Sequence, residues 1–321
     1  MQIPSALYIR LPNWIGDVCM SLPCLDTLLA TGVPVVVCAR GWARDLLAAY
    51  PIAGFIEMSG QWRSDRAAVS DYRKQARHAH PCGLLLPDSL SSAMVFRFAG
   101  IPSAGYRDDG RSLILRWPQR KPQPRPHAVQ SWHHLTELAL KRWGLPFSPL
   151  PTGRHLGLQL LQRHHEQAQQ MLDDAGLQAG HFVLVAPTAT GLHKGKIKVW
   201  PHFNALVSAL QEQGYRVAMC PPPNERQEAL DTAPSAQCLP PLKLGEFAAL
   251  TQMAALVVCN DSGVSHIAAA AGARQLTLFG VTDQGRTGPW SDTAQCLGSS
   301  AGWPPFDEVR HKVVSLLANV A

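Results

Sequence analysis

The sequence predicts an α/β protein with two similar domains, each built on a parallel sheet. Short apolar runs alternate with helix-like segments along the 321 residues, and this alternation indicates parallel strands joined by crossover helices. The alternation comes in two series, and the length suits two domains of ordinary size. A proline-rich stretch, GLPFSPLPTG at 144–153, separates the series, so we predict domains at 1–155 and 156–321.

The elements of the first domain are read from its apolar runs. A helix is expected over 17–30 despite Pro23, and strands are expected at 5–10, 33–39 and 83–87. The segment KPQPRPH, 121–127, cannot form a regular element because its prolines lack amide donors. We expect it to be an exposed basic loop.

The second domain repeats the scheme. Its predicted strands lie at 181–187, 215–221, 256–260 and 276–280. A helix is expected over 201–213, and a closing helix over about 306–319 is expected to pack back on the first domain.

The charge is concentrated in the N-terminal half. Residues 1–150 carry 17 Lys and Arg against 10 Asp and Glu, whereas residues 151–321 carry 12 against 13. A basic excess of this kind is either a solvated face or a surface for an anionic partner, such as a nucleic acid, a phosphorylated glycolipid or an acidic membrane. The sequence has no recognised nucleic-acid module and no aromatic residues interleaved with its basic ones, so we expect no nucleic-acid partner.

Several other classes of protein are disfavoured. We see no signal peptide and no apolar stretch of about 18 residues, and the eight cysteines form no CxxC pair, so we expect a cytosolic protein with reduced cysteines. No GxGxxG occurs, which counts against a dinucleotide-binding dehydrogenase. The histidines at 78–80, 133–134 and 164–165 lack metal-ligand spacing, so we expect them at the solvated surface and predict no metal site.

Polar residues gather just after the predicted strands. Ligands of open α/β sheets bind at the carboxyl ends of strands, so these stretches are the candidate site. They read LPNWIGD, TATGLHKGKIKVWP, PPNERQE, DSGVSH and GVTDQGRTGPW.

The first of these stretches places an acid at the start of a helix. Gly16 suits a tight strand-to-helix turn, and Asp17 then falls in the first helical turn. A lone aspartate there is most often a helix cap. The functional alternative is a general base that removes a proton from an attacking hydroxyl in an interdomain cleft.

The second stretch concentrates lysines. It is not a Walker A loop, because three residues rather than four separate Gly191 from Gly195 and neither Ser nor Thr follows Lys196. A solvated loop is the plain alternative. The clustering of Thr188 and Thr190 with lysines after a buried strand favours anion binding instead.

The stretch DSGVSHIAAAAG, 261–272, opens an alanine helix with Asp261, Ser262 and Gly263. Free amide groups and the helix dipole make such a start an anion site, and a glycine lets a ligand approach the backbone. A hydrolytic triad is disfavoured because there is no GxSxG elbow and because Asp261, Ser262 and His266 need not face one another. The alternative is a capped core helix in which His266 is simply buried.

Together these motifs resemble the lipopolysaccharide heptosyltransferases of glycosyltransferase family 9, in order along nearly the whole chain. The resemblance is carried by RLPNWIGDVCMSLPCLDTL, LPDSLSSAMVFRFAGIPSAGYR, KVWP and, most specifically, NDSGVSHIAAAAGARQLTLFGVTDQGRTGPW. The PNWIGD and GIPSAGYR segments look closer to the heptosyltransferase II branch than to the I branch.

The resemblance implies a GT-B fold, in which two Rossmann-like domains with parallel sheets face a central cleft. It implies inverting transfer of L-glycero-D-manno-heptose from ADP-heptose to the inner core of lipopolysaccharide, with no cofactor required. The partners would be ADP-heptose, an anionic lipid A–core acceptor and an acidic inner-membrane surface. Two alternatives stay open: another nucleotide-sugar or acceptor, and a non-catalytic glycolipid-binding relative.

The resemblance also assigns roles to residues. The family's base falls on Asp17 and its phosphate-contacting lysine on Lys198, while the ribose-holding acid falls on Glu225 or Glu228. Independently of the resemblance, the basic charge of the N-terminal half makes the loop RWPQRKPQPRPH, 116–127, the candidate acceptor contact, with Arg120, Lys121 and Arg125. The acceptor is also expected to contact Asn13, Trp14 and Gly16. The donor is expected to contact Thr188, Thr190, Lys198, Glu225, Asp261, Ser262, Gly263, Val264 and His266.

Overall fold

A computed structural model of the protein describes residues 3–108, 110–189, 192–193 and 195–318. The chain divides into two compact units. The first holds the residues up to Arg44 together with Tyr50–Thr152, and the second holds Asp45–Ala49 together with the residues from Gly153 onward. The predicted boundary after residue 155 stays a prediction of domain organisation.

The first unit is built on a six-stranded parallel sheet in the order β3-β2-β1-β4-β5-β6. Strands β1 and β2 are buried along their whole length and are apolar apart from Arg10, as expected where helices cover both faces of a parallel sheet. A 3-10 turn spans Arg111–Leu113. The strands and helices are β1 (Ala6–Arg10), α1 (Ile15–Met20), α2 (Leu22–Leu29), β2 (Val35–Ala39), α3 (Ala43–Leu46), β3 (Gly54–Glu57), α4 (Trp62–Gln75), β4 (Pro81–Leu85), α5 (Leu90–Phe98), β5 (Ser103–Tyr106), β6 (Trp117–Gln119) and α6 (Ala128–Trp143).

The second unit repeats this topology in the order β11-β10-β7-β12-β13-β14, again all parallel. A 3-10 turn spans Pro223–Glu225. The strands and helices are α7 (Gln162–Asp174), β7 (Phe182–Ala186), β8 (Leu192–His193), β9 (Lys196–Ile197), α8 (Phe203–Glu212), β10 (Arg216–Met219), α9 (Arg226–Thr232), β11 (Gln237–Cys238), α10 (Leu244–Met253), β12 (Leu256–Asn260), α11 (Gly263–Ala271), β13 (Gln275–Phe279), α12 (Gln284–Thr287), β14 (Ala294–Gly298) and α13 (Phe306–Ala318).

Each sheet has a topological switch point, where successive connections leave the sheet on opposite sides. It lies between β1 and β4 in the first unit and between β7 and β12 in the second. The strand ends are level there, since Arg10 pairs with Leu85 and Ala186 pairs with Cys259. Open α/β sheets bind ligands in the crevice beyond these carboxyl ends. The α/β class and the parallel sheets predicted from the sequence are confirmed.

The helix predicted over 17–30 is two helices. Helix α1 ends at Met20, Ser21 lies between, and α2 begins at Leu22. Pro23 occupies the first turn of α2, where its missing amide hydrogen costs nothing. The same proline in the middle of one continuous helix would have removed a backbone hydrogen bond, which explains the break.

Two of the histidines expected at the solvated surface lie in the core instead. His133 and His164 are buried, while His134 and His165 are half-buried. Adjacent residues on a helix point about 100° apart, so one member of each pair faces the core. His164 also accepts a hydrogen bond from the Leu161 amide at 3.3 Å through Nδ1.

The closing helix α13 begins and ends close to its predicted limits. Its buried face, Val309, Val313 and Leu317, belongs to the core of the second unit. These residues recur every four positions, so they form one stripe, and that stripe is buried with β12, β13 and α8 of its own unit. The expectation that the helix also packs back on the first domain stays a prediction.

Helix α11 explains the alanine run. Its residues 265–271 are all buried, whereas residues 261–264 are half-buried at its start. It lies against α10 and the sheet, and small side chains allow that close approach. Gly272 ends the helix with φ of 73°, a left-handed cap that glycine adopts without strain. The helix start is thereby held at the carboxyl ends of β12 and β13.

Candidate active site

The switch point of the second unit gathers most of the predicted donor residues. Thr188 follows β7, Asp261 and Ser262 follow β12, and Thr282 follows β13. Because all these strands are parallel, the residues after them emerge at one edge of the sheet. The predicted Thr190 lies outside the described residues, as does Lys194.

Asp261 is held by the neighbouring strand end. The Thr282 hydroxyl donates a hydrogen bond to Asp261 Oδ2 at 2.6 Å, and the Asp261 amide donates to the Leu278 carbonyl at 3.1 Å. Hydrogen bonds to a carboxylate are strong and directional, so the Asp261 carboxylate has a defined position.

Ser262 is the N-cap residue of α11, in extended conformation. Its hydroxyl makes no cap bond to the helix, and its Oγ is buried with no hydrogen-bond partner among the described residues. The first amide groups of a helix lack intrahelical acceptors, so those of Gly263 and Val264 can donate to an anion. His266, one turn on, is buried in the same helix.

Lys198 lies beside the start of α11. Its Nζ donates to the Asp261 carbonyl oxygen at 3.4 Å, and the side chain is half-buried. The short antiparallel hairpin of β8 and β9 ends immediately before it. The cation and the helix N-terminus therefore bring two sources of positive potential to one place.

The acid beside Thr188 is Glu225. The Thr188 hydroxyl donates to Glu225 Oε2 at 2.5 Å, and Glu225 is half-buried in the 3-10 turn after β10. Glu228 is exposed on α9, where its carbonyl accepts from Thr232 Oγ1 at 2.8 Å. Of the two acids that the sequence left open, the structure brings Glu225 to the strand-end residues.

Two residues of this site were not predicted from the sequence. Asn260 is completely buried at the end of β12, and its side chain bonds to residues after β7 and after β9. Thr282 is nearly buried and holds Asp261. A polar amide as the last residue of an otherwise apolar strand was the available signal for Asn260, since buried polar groups need partners.

The first unit presents Asp17 at its own switch point. Asp17 lies in the first turn of α1, three residues after Trp14, which is 70% exposed. Burial raises the pKa of the Asp17 carboxyl to about 6, because the surroundings disfavour its charged form. A carboxyl with that pKa is largely ionised at neutral pH and can accept a proton.

The loop before Asp17 is held by hydrogen bonds from the buried Arg10. Arg10, buried at the end of β1, donates through Nη2 to Asn13 Oδ1 at 2.6 Å and through Nη1 to the Leu11 carbonyl. The Asn13 amide oxygen is therefore committed to the protein, although Asn13 itself is exposed. Gly16, predicted to contact the acceptor, is buried in α1.

The predicted acceptor cations are not equivalent. Lys121 forms ion pairs with Asp88 at 2.5 Å and with Asp108, and its ammonium lies 5.7 Å from the centre of the Tyr106 ring. Its charge is thus largely balanced within the protein. Arg120 and Arg125 are exposed, and the segment 120–127 holds no helix or strand.

Arg107 and Arg120 lie side by side at the carboxyl edge of the first sheet. They follow paired strand residues, because Tyr106 pairs with Gln119 and the Arg107 amide donates to the Gln119 carbonyl at 2.9 Å. Both side chains are exposed. Two exposed arginines that follow paired residues of adjacent strands suit an anionic partner.

The described residues contain no cluster of three His, Cys, Asp or Glu side chains that could hold a metal ion. Among the helices that are described, none is long and apolar enough to cross a bilayer. The eight cysteines are free thiols.

Two doubly wound parallel sheets, each with polar residues at its switch point, are the architecture of the GT-B fold. A solved structure described as E. coli ADP-heptose LPS heptosyltransferase II matches with a TM-score of 0.78 and 23% identity, over 98% of this chain and 99% of that chain. E. coli heptosyltransferase WaaC with ADP matches with a TM-score of 0.76 and 20% identity, over 97% and 99%.

The chain belongs to glycosyltransferase family 9, the heptosyltransferase family, whose sequence model matches residues 72–313. It is therefore a glycosyltransferase. Among curated relatives, the Haemophilus influenzae lipooligosaccharide heptosyltransferase 2 is 28% identical over 89% of this chain and 86% of its own length.

Proposed function

We propose that this protein transfers L-glycero-D-manno-heptose from ADP-heptose to a sugar of the lipopolysaccharide inner core, with inversion at the anomeric carbon. One observation carries the proposal: Lys198, the start of α11 and the Thr188–Glu225 pair converge at the switch point of the second sheet. The names of the relatives, heptosyltransferase 2 and heptosyltransferase II, support the choice of donor and acceptor class.

The diphosphate of the donor is assigned to the start of α11. The amides of Gly263 and Val264, the Ser262 hydroxyl and the Lys198 ammonium supply donors and positive potential. As the leaving ADP gains charge, these groups stabilise it, which is the electrostatic contribution that usually dominates such transfers.

The acids have different places in this scheme. Glu225, already accepting from Thr188, is assigned to the adenosine ribose, whose hydroxyls are donors that suit a carboxylate. Asp261 is assigned to the hydroxyls of the heptose. Thr282 holds the Asp261 carboxylate in a defined position. A carboxylate would be a poor ligand for the diphosphate, since like charges repel.

Asp17 is assigned as the general base. The acceptor hydroxyl oxygen attacks the anomeric carbon as the bond from that carbon to the phosphate oxygen breaks. ADP leaves with the electron pair of that bond, and the hydroxyl proton passes to the Asp17 carboxylate. A single displacement of this kind inverts the anomeric carbon, and a carboxyl whose pKa is about 6 suits a base acting at neutral pH.

The acceptor is assigned to the basic first unit. The exposed Arg107, Arg120 and Arg125 supply charge that Lys121, paired with its acids, does not. Such charges suit an acceptor bearing phosphates and carboxylates, and they also suit an acidic membrane surface on which a lipid-linked acceptor lies.

The proposal is tested by binding of nucleotides. Calorimetric titration with ADP, UDP and GDP is expected to give clear preference for ADP. Preference for UDP or GDP would replace the heptose donor with another nucleotide-sugar. Sedimentation with vesicles containing anionic lipid tests the membrane contact, with the triple variant Arg107→Gln, Arg120→Gln and Arg125→Gln expected to stay in the supernatant.

A further inference from the structure

The side chain of Asn260 is a completely buried polar group at the donor site. It ends β12, which lies between β7 and β13, and its exposed fraction is 0%. A carboxamide so enclosed needs partners for both its donors and its acceptor. Asn260 Oδ1 accepts from the Trp200 amide at 2.9 Å, and Nδ2 donates to the Ala186 and Thr188 carbonyls at 3.4 Å each.

The hydrogen-bond partners determine the positions of the oxygen and the nitrogen in the Asn260 side chain. An amide hydrogen from Trp200 requires an oxygen on one side, and two carbonyl oxygens require the NH2 group on the other. No other neutral side chain of the same size offers one acceptor and two donors in this arrangement. Aspartate has the same shape, but when ionised it would turn an acceptor towards two acceptors.

These bonds tie together three segments, each of which carries part of the donor site. The first continues from Ala186 to Thr188, which bonds Glu225. The second carries Lys198 two residues before Trp200. The third is the chain of Asn260 itself, which leads directly into Asp261 and the start of α11.

We propose that Asn260 is a positioning residue for the nucleotide-sugar, acting through the segments that carry Thr188 and Lys198. The inference rests on the proposed function. Asn260 does not touch the donor. It sets the spacing between a cation, a ribose-binding pair and a helix N-terminus, and small displacements of such groups weaken binding strongly.

The Trp200 segment has a second hydrogen bond besides the one to Asn260, and in this it differs from the Thr188 segment. The Trp200 indole donates to the Pro304 carbonyl at 2.9 Å, and the ring is completely buried. Loss of the bond to Asn260 therefore leaves Trp200 in place. The Thr188 carbonyl has Asn260 as a described partner from across the switch point, so the ribose side is expected to move more.

The test compares Asn260→Asp with Asn260→Ala by calorimetric titration with ADP at pH 8 and pH 5.5. The matched control is Asn204→Asp, the same chemical change on the exposed surface of α8. The titratable and charged groups around the site, Asp261, Lys198, Glu225, His266 and His202, are the same in all three variants. Dividing the ADP affinity of each variant by that of the control at the same pH removes the pH dependence that the unaltered site and ADP share.

Asn260→Asp is expected to bind ADP roughly tenfold or more weakly than the control at pH 8, since a buried acceptor then faces two carbonyls. At pH 5.5 protonation lets the new carboxyl donate one of the two lost bonds, and the deficit is expected to shrink to about threefold. Asn260→Ala has no group to titrate, so its deficit is expected to be equal at the two pH values.

Thermal melting at both pH values establishes that each variant is folded. Binding by Asn260→Asp equal to that of the control at pH 8 would overturn the inference. If that variant is unfolded at pH 8, Asn260→Ala decides, and control-like binding by it also overturns the inference. Failure of the unaltered protein to bind ADP would remove the proposed donor as well, so the two failures are distinguishable.

Discussion

The substitution Asp17→Asn tests whether the half-buried carboxyl of Asp17 is needed for the reaction although it lowers the stability of the fold at neutral pH. The pKa of Asp17 rises from 3.8 to about 6 because burial disfavours its ionised form. The unfolded chain therefore releases the proton at lower pH than the folded protein does. Stability contributed by the neutral form is present below about pH 3.8 and is lost as the pH rises to about 6.

The size of this loss follows from the shift. A shift of about two units at about 1.4 kcal/mol per unit gives about 3 kcal/mol, an upper limit because the carboxyl is half-buried rather than enclosed. At pH 8 Asp17→Asn is thus expected to be more stable than the unaltered protein, by up to roughly 6–12 °C in melting temperature. The gain is expected to shrink towards zero as the pH falls towards 4.

The assay combines calorimetry between pH 4.5 and pH 8 with measured heptosyl transfer. Turnover by Asp17→Asn is expected to fall by roughly a hundredfold or more, with ADP affinity within about twofold, because only the base is lost. In the unaltered protein kcat/KM is expected to fall as the pH drops below about 6, when the base becomes protonated.

The matched control is Asp26→Asn. Burial raises the pKa of Asp26, in α2, to about 6 as well, so the stability trend should be similar. Its turnover is expected to be retained. Equal turnover by the two variants would remove Asp17 from the base role, and a stability gain equal at pH 4.5 and pH 8 would show that ionisation is not its cause.

Three further outcomes are expected. Lys198→Ala should weaken ADP binding roughly 10- to 100-fold by calorimetry, as loss of a charge-assisted contact predicts, and unchanged affinity would refute its phosphate role. Glu225→Gln should weaken ADP binding roughly tenfold while Glu228→Gln leaves it unchanged; the reverse order would reassign the ribose acid. Gly280→Ala should lower the melting temperature, since its new methyl group would overlap an indole ring, at about 1–3 kcal/mol, whereas Gly302→Ala, in open space, should not.

The sequence predicted the strands that carry the site because their signal is local. The apolar run 256–260 is bounded by an Asp-Ser-Gly turn, and β12 occupies those residues. The repeated alternation also predicted two parallel sheets, since crossover helices impose parallel pairing. The polar residues after each strand could then be assigned to the candidate site without knowledge of any contact.

Contacts between residues distant in the sequence could not be predicted in this way. Asn260 accepts a hydrogen bond from the amide of a residue 60 positions away. Nothing in the sequence around Thr282 indicates its hydrogen bond to Asp261. The sequence predicts that Lys121 contacts the acceptor, whereas in the structure two acids balance its charge. Each of these contacts depends on which loops the strand order brings together, and that order cannot be predicted from composition.

Heptosyl transfer itself is measured by incubating the purified protein with ADP-heptose and a truncated core acceptor, followed by mass spectrometry. We expect an acceptor heavier by one heptosyl residue, together with released ADP. We also expect Asp17→Asn to yield neither above background. An acceptor of unchanged mass with ADP-heptose, but extended with a UDP- or GDP-sugar, would contradict the proposed function.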